Sequence, residues 1–547
     1  MYEKLLCAPL FCIGSLFAQG TESGKISGNF QSNAQIYYED SNLGIGPENL
    51  PEEKFLSNSF VNLQYTSNIF SAGMRYEANQ NSLLGYDKRY NGEGIAYRFV
   101  RINRNGLDIT AGNFYEQFGS GIILRAYEER NLGYDNAFDG IRLKYSPIEG
   151  VYLKSLVGKQ RWYFDKSEGI VRGFDGEISL NEIFKALRDV RSQISIGGSL
   201  VSKFQQDLDP IYILPKNVVS WASRFNVHHG KWILGAEYVY KYNDPSATNN
   251  FIYKEGQALL ANISYSQKRF GISFSGKRVD NMSFNSDRNL KGQEVSINYL
   301  PAFTKQHTYT LATIYPYGTI ANGEMGLQAE LSYLIKKGSR IGGGFGMGVL
   351  INFSNAYSIH QAQIDEKTSL GKSGTLGYTS DFFKMGDEKY FQEFNIELSR
   401  KINRKLKLIG TYVNTHYNSK VIAGYDYFGM IKANILVLET QYKLKARQAL
   451  RTEIQHLSTK QHDGNWAMAL VEYTVSPHYF FAIQNLYNYG NKSKKNHYPN
   501  LSAGYGKGTN RFTLGYGKQK QGIFCVGGVC REVPKSNGIS LSITSSF

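Results

Sequence analysis

Short segments in which apolar and polar residues strictly alternate recur along almost the whole chain. Met325, Leu327, Ala329, Leu331 and Tyr333 alternate with Gly326, Gln328, Glu330 and Ser332. Trp232, Leu234, Ala236, Tyr238 and Tyr240 alternate with Ile233, Gly235, Glu237, Val239 and Lys241. The same pattern marks Phe70 to Tyr76, Ile141 to Tyr145, Val295 to Tyr299, and the final residues, where Ile539, Leu541, Ile543 and Phe547 oppose Ser540, Ser542, Thr544 and Ser546. Period-two alternation places each set on one side of a sheet, and about 26 such segments (range about 22–26) predict an all-β chain. A strand of roughly ten residues tilted about 40° crosses an apolar layer about 25 Å thick, which is the length of these segments.

The links between segments fall into two classes that take turns. Tight links are read at 67–68, 104–105, 147–149, 229–230, 268–269, 336–339, 402–405, 445–447 and 509–510. Longer polar links are read at 39–56, 79–92, 119–138, 205–215, 243–255, 354–388, 418–429 and 522–536. Alternating short turns and long loops predict a single large antiparallel up-and-down transmembrane β-barrel, both ends of the chain lying on the turn side. A propeller would repeat in fours, and no fixed internal period supports it. Two links depart from the alternation: 181–191 is long on the short side and predicts a brief helix, and 461–463 is short on the long side.

Composition agrees. Hydrophobic residues make up 41% of the chain, yet aromatics reach 14%, with 40 Tyr and 32 Phe. Mean hydropathy is -0.38, which excludes a helical membrane protein. The uncharged run 5–18 is shorter than the roughly 20 residues of a spanning helix and has the size of a signal-peptide core. Cleavage after Ala18 divides the chain into a signal peptide, 1–18, and a barrel, 19–547. The terminal alternating strand closed by Phe547 is similar to the end of bacterial outer-membrane barrels. Residues 112–142 (GNFYEQFGSGIILRAYEERNLGYDNAFDGIR), with Gln19 after Ala18, carry a further likeness. On them the whole mature chain resembles an uncharacterised family of outer-membrane barrel proteins from the Bacteroidota. The resemblance implies residence in the bacterial outer membrane and no particular chemistry.

A circular barrel of about 26 strands would be roughly 50 Å across, too wide to stand open in a barrier membrane. Only 19–25 precede the first strand, so no plug domain is expected, and no large periplasmic domain either. The first candidate for an internal constriction is 119–138. It combines Gly119 and Gly121, the apolar Ile122, Ile123 and Leu124, and the charges Arg125, Glu128, Glu129, Arg130 and Asp135. Opposed charges across a pore would select polar solutes; a loop folded on the barrel rim for stability is the competing reading. The longer, more polar 354–388 is expected to lie outside.

Inward-facing charges are predicted at Arg75, Glu77, Asp108, Arg142, Lys144, Asp175, Glu177, Glu237, Lys241, Lys277, Glu294, Glu330, Glu397, Arg451 and Glu453. So many charges of both signs require an interior that is wet or laced with ion pairs. The net charge is +16, concentrated towards the end of the chain. Lys518 and Lys520 share the phase of Phe512, Leu514 and Tyr516, which makes them candidates to meet lipid phosphate or lipopolysaccharide. Nucleic acid is not an expected partner of an exported barrel. Cys525 and Cys530 bracket Val-Gly-Gly-Val in the last long link and read as a disulfide in an oxidising compartment.

No catalytic, cofactor or metal constellation stands out. The run 342–348 has the glycines of a phosphate loop but falls in a predicted strand, where close packing explains them. Two function classes follow. One is a porin-like channel for polar solutes; the other is a structural or accessory barrel subunit of a larger outer-membrane secretion or surface assembly, with membrane or periplasmic protein partners.

Overall fold

The alternating segments pair in chain order, each antiparallel to the next, in one 24-stranded sheet. The structure, a computed structural model, describes residues 24–292, 294–424, 426–526 and 529–547. The expected signal peptide, 1–18, lies outside the described residues. The sheet closes where the last strand, Ser536–Ser546, pairs with both Asn510–Gln519 and the first strand, Lys25–Tyr37, with Gln31 opposite Thr544 and Gln35 opposite Ser540. Closure leaves no open edge, so the backbone polar groups of every strand find partners in the ladder.

The two faces differ as the alternation predicts. Outward residues are large, apolar and exposed: Val100, Ile141, Phe174, Leu200, Phe274, Leu327, Ile454 and Leu514 all lie on the outside. Aromatic residues gather near the turn end of this surface, where Trp232 packs on Tyr265 and Tyr479 on Tyr505. Inward residues are polar or charged and largely buried, as Glu237 and Lys241 are on the strand Trp232–Lys241. Among the described residues no helix is long and apolar enough to cross a membrane.

The turns obey local rules. At Asn105-Gly106, φ is +52° and +77°, the left-handed pair a two-residue hairpin needs to match strand twist. The long link on the turn side holds the expected brief helix, Leu180–Ile183, followed by a 3₁₀ turn, Lys185–Leu187.

Two expectations are corrected. The barrel has 24 strands, within the expected range of about 22–26, but Val295 to Tyr299, read as a strand, is not one of them, and the region 281–323 adds none to the wall. Val295 and Ile297 are indeed buried on one side, but as part of a segment folded into the interior, whose only ladder pairing is an isolated bridge between Asn285 and Ser296. Alternation reports a segment with two unlike faces, and a strip packed inside the barrel has those as well as a wall strand. Glu294 accordingly sits in this segment, bonded to Arg89 and Trp162, and not on the wall. The glycine run is the second correction: Gly342 to Gly346 form the link between Glu324–Ile335 and Met347–Ile359, and only Met347 and Gly348 are in a strand.

Candidate functional site

Two segments fold from the loop end into the barrel and hold its interior. The first, 115–137, begins where the strand Leu107–Phe114 ends. Its apolar residues Phe118, Ile122, Ile123 and Leu124 are fully buried and pack with Leu156, Val171, Val201, Val239 and Val279 of the wall. Gly119 has φ +51°, and a Cβ there would lie 2.5 Å from Glu237 Oε1. Only glycine lets the neighbouring Ser120 N–H donate to Glu237, at 2.8 Å.

The second segment, 281–323, crosses from one side of the barrel to the other. Met282, Phe284 and Ile297 join the apolar cluster of the first segment. Leu311, Tyr315 and Tyr317 join a separate cluster with Phe391, Val413, Ile435, Leu457 and Trp466 on another part of the wall. The two segments also hold each other: Arg125 N–H donates to Ile297 O at 2.8 Å, and Asn136 Nδ2 to Ser296 O at 2.8 Å.

Inward charges are the anchors. Lys277, fully buried, reaches Pro301 O at 2.6 Å, Thr319 Oγ1 at 2.6 Å and Glu324 at 2.7 Å. Glu324 in turn accepts from Tyr317 OH and from Ile320 N–H at 2.8 Å. Lys241 donates to Ser283 O at 2.6 Å. Across the interior His307 meets Glu393 at 2.9 Å and Leu311 N–H donates to Gln455 at 2.8 Å. In the first segment Glu116 takes Lys144 at 2.8 Å and Lys154 at 3.3 Å.

The largest network joins both candidate sets. Arg75 binds Glu77 and Glu128 at 2.7 Å each and also Asp135, while Arg161 binds Glu77 at 2.6 Å and Asp135 at 2.7 Å. Arg130 binds Glu128 at 2.8 Å. Burial alone would raise the Asp135 carboxyl, but Arg161 and Arg75, with the Ala137 N–H and Tyr115 OH, hold it below the ordinary range. A carboxylate lowered in the folded state stabilises that state above its ordinary value of about 3.9, and the contribution is lost as pH falls through the native value. Residues 119–137 are therefore expected to lose hydrogen-exchange protection only well into acid, below roughly pH 4. Asp135→Asn should show that loss already at neutral pH, and protection equal to the parent's there would refute the assignment.

Apart from Glu294, the charges expected to face inward share the inner phase of the wall strands. Arg142 reaches Asp108 at 3.4 Å, Arg451 pairs with Glu439 at 3.1 Å and with Glu453, and Glu330 lies exposed on the inner face. The constriction candidates divide. Glu128, Arg130 and Asp135 meet in the network, whereas Arg125 stacks on Tyr127 and Tyr299 at 4.6 and 4.2 Å, and Glu129 caps its own turn at Asn131 N–H. Each has a partner close by, on the wall for Glu128 and Asp135 and within the infolded segments for Arg125, Glu129 and Arg130, and a local guanidinium offsets the cost of burying Glu128 and Asp135. Lys518 is drawn to Asp40 at 2.5 Å, and Lys520 lies over the Trp466 ring at 5.8 Å, so both ammonium groups turn to partners within the barrel's loop end. Cys525 and Cys530 form the expected disulfide. Glu116, Arg161 and the infolding of 281–323 are not legible in the alternation. Pro301 and Pro316, poor residues for a central strand, were the available signal for that segment.

One arc of the wall is left without apolar cover. Neither cluster takes a residue from Lys25–Tyr37, Phe55–Thr66, Phe70–Gln80, Gly92–Arg104, Asn510–Gln519 or Ser536–Ser546. On Lys25–Tyr37, Phe55–Thr66, Asn510–Gln519 and Ser536–Ser546 its inner face carries the uncharged Asn29, Gln31, Asn33, Asn62, Gln64, Thr513, Ser540 and Ser542, while Arg75 and Glu77 on Phe70–Gln80 and Arg101 on Gly92–Arg104 are held in ion pairs. Between it and the first infolded segment lies a recess.

A closed antiparallel barrel whose interior is occupied by its own infolded loops is the class these features define. The chain belongs to DUF6029, a family of unknown function, whose model matches residues 1–547. No curated protein matches the sequence. Among solved structures it is similar to a mutant of the ferric enterobactin receptor PfeA from Pseudomonas aeruginosa (TM-score 0.43, 12% identity, 96% of this chain and 81% of that one). It is similar to the translocation pore of the P pilus usher PapC (TM-score 0.41, 7% identity, 95% and 99%). A third likeness is to the outer membrane protein OprD from Pseudomonas aeruginosa (TM-score 0.35, 10% identity, 96% and 94%). At these scores and identities no function is carried across.

Proposed function

We propose that this protein sits in the bacterial outer membrane, long loops outward, and conducts polar solutes along the uncovered arc of its wall. The closed barrel with an apolar exterior supports the location, because only a sheet without edges leaves no unpaired backbone in lipid. The observation that carries the conducting role is the asymmetry of the filling. Both infolded segments are fastened to the remaining wall by apolar clusters and buried ion pairs, while the arc from Asn510 through Ser546 to Tyr37 and Thr66 keeps a hydrophilic inner face. Uncharged amides and hydroxyls favour passage of polar solutes with little selection by charge sign.

Planar-bilayer recordings of the purified barrel are expected to show small, steady channels with weak anion–cation preference. A silent barrel would overturn the proposal. The second reading, an accessory subunit of a larger outer-membrane secretion or surface assembly, is favoured by a different feature. Leu208, Ile211 and Ile213, in the link after Ser192–Phe204, are 85%, 78% and 86% exposed, an apolar surface suited to a protein partner. A silent barrel that leaves gently solubilised membranes with a stoichiometric partner would support that role.

A further inference from the structure

We propose that the recess beside the first infolded segment binds one ring of a neutral, polyhydroxylated solute, an oligosaccharide in chemical class. The inference rests on the conducting role above and names the kind of solute. Three features of the recess argue for it.

The first is charge. Glu77, Glu128 and Asp135 line the recess, and each is already paired with Arg75, Arg130 or Arg161. Arg130 and Arg161 line the recess too and Arg75 lies behind it, so the paired network of three carboxylates and three guanidinium groups is formally neutral. An anion would have to take an arginine from its carboxylate, and a cation the reverse, so an ionic ligand forfeits existing pairs. A hydroxyl does not, because it can donate to a spare carboxylate lone pair and accept from an N–H at once.

The second is unused hydrogen-bonding capacity. Among the described residues the side-chain amides of Gln31, Asn33 and Asn58, all lining the recess, have no protein partner. Asn79 is only 4% exposed; its Nδ2 donates to Tyr90 O at 2.9 Å, but its Oδ1 has no partner. A buried acceptor left unpaired is costly, and a ligand or water must satisfy it. Amides offering both donor and acceptor complement hydroxyls, which do the same.

The third is size and shape. The cavity volume of 90 Å³ is room for about three waters at roughly 30 Å³ each, so the recess seats part of one sugar ring and leaves the rest of the ligand in the open interior. Phe60 and Tyr86 add apolar surface to the otherwise polar lining, suited to the C–H faces of a pyranose.

The test titrates the full barrel in detergent with maltotriose, raffinose and xylotriose, and with trigalacturonate as an anionic control. At least one neutral trisaccharide is expected to bind saturably and more tightly than trigalacturonate. The Asn33→Ala/Asn58→Ala variant, which removes no protein–protein hydrogen bond, should weaken it by roughly tenfold. Tyr86→Ala, placed in a loop and leaving the wall untouched, should weaken it too if the wall variant fails to fold. Absence of binding across the neutral panel, tighter binding of trigalacturonate, or unchanged affinity in the folded variants would each overturn the proposal. Bilayer recordings of the same preparation separate the two ideas. Current without saccharide binding removes this site and leaves the conduit, whereas binding by a silent barrel removes the conduit and leaves the site.

Discussion

Replacing residues 284–318 with a short glycine–serine linker is expected to raise single-channel conductance by roughly tenfold, because a 24-strand barrel is about 48 Å across its backbone and this is the longer of the two segments that fill it. The segment lies between Phe270–Asp280 and Glu324–Ile335, whose ends are already paired at Val279 and Glu324. A short linker can therefore close that hairpin without moving the wall. Lys277 and Glu324 remain in the variant and keep each other paired at 2.7 Å. Wall residues such as Val413 and Ile435 would lose their apolar cover, so some stability is lost, but every wall hydrogen bond is retained. The measurement is conductance in planar bilayers, with the gel shift of an unheated barrel as proof of folding. Parent-like conductance in a folded variant would mean that 281–323 does not obstruct the path.

Lys277→Met should free the same segment without deleting it. The ammonium holds Pro301 and Thr319 on the segment and Glu324 on the wall, all within 2.7 Å. Removing it leaves Glu324 fully buried with no cation, a situation that typically costs about 3–5 kcal/mol. The closed wall, stabilised by its ladder on both sides, is not where that cost is relieved. Relief comes by letting water reach Glu324, which requires 301–320 to lift from its seat. Hydrogen exchange in 301–320 is expected to accelerate by a factor of a hundred or more, on the order of what about 3 kcal/mol implies. Channel noise should rise with it. Glu324→Leu added to Lys277→Met removes the orphaned charge and should restore much of the protection, since an apolar pair of similar volume often substitutes for a buried ion pair. Equal exchange in the parent and the single variant would show that the anchor lies elsewhere.

These two expectations concern the part of the molecule that the chain discloses least. Strands such as Trp232–Lys241 and Glu324–Ile335 are legible residue by residue, since their outward positions must be apolar and their inward ones polar. The same logic misleads at Val295 to Tyr299. A strip wedged between the wall and a second infolded loop also has two unlike faces, so periodicity cannot tell it from a wall strand. The inward charges were legible by phase, but their partners were not. Arg75 and Asp135 lie 60 residues apart in the chain, and only the closure of the sheet brings the wall and the infolded loop within reach. Asp40 and Lys518 are a sharper instance, joined across the seam where the first and last strands meet.

What the sequence by itself determined is a sheet with one greasy and one polar face, laid out in short turns and long loops. Period-two patterning and turn chemistry are local, and each can be read within a dozen residues. What only the tertiary structure decided is how the interior is used: which loops enter, which arc they dock on, and which charges are consumed in holding them. Those outcomes depend on contacts between residues distant in the chain, and their energies exist only once the barrel has closed and excluded water from one part of its wall.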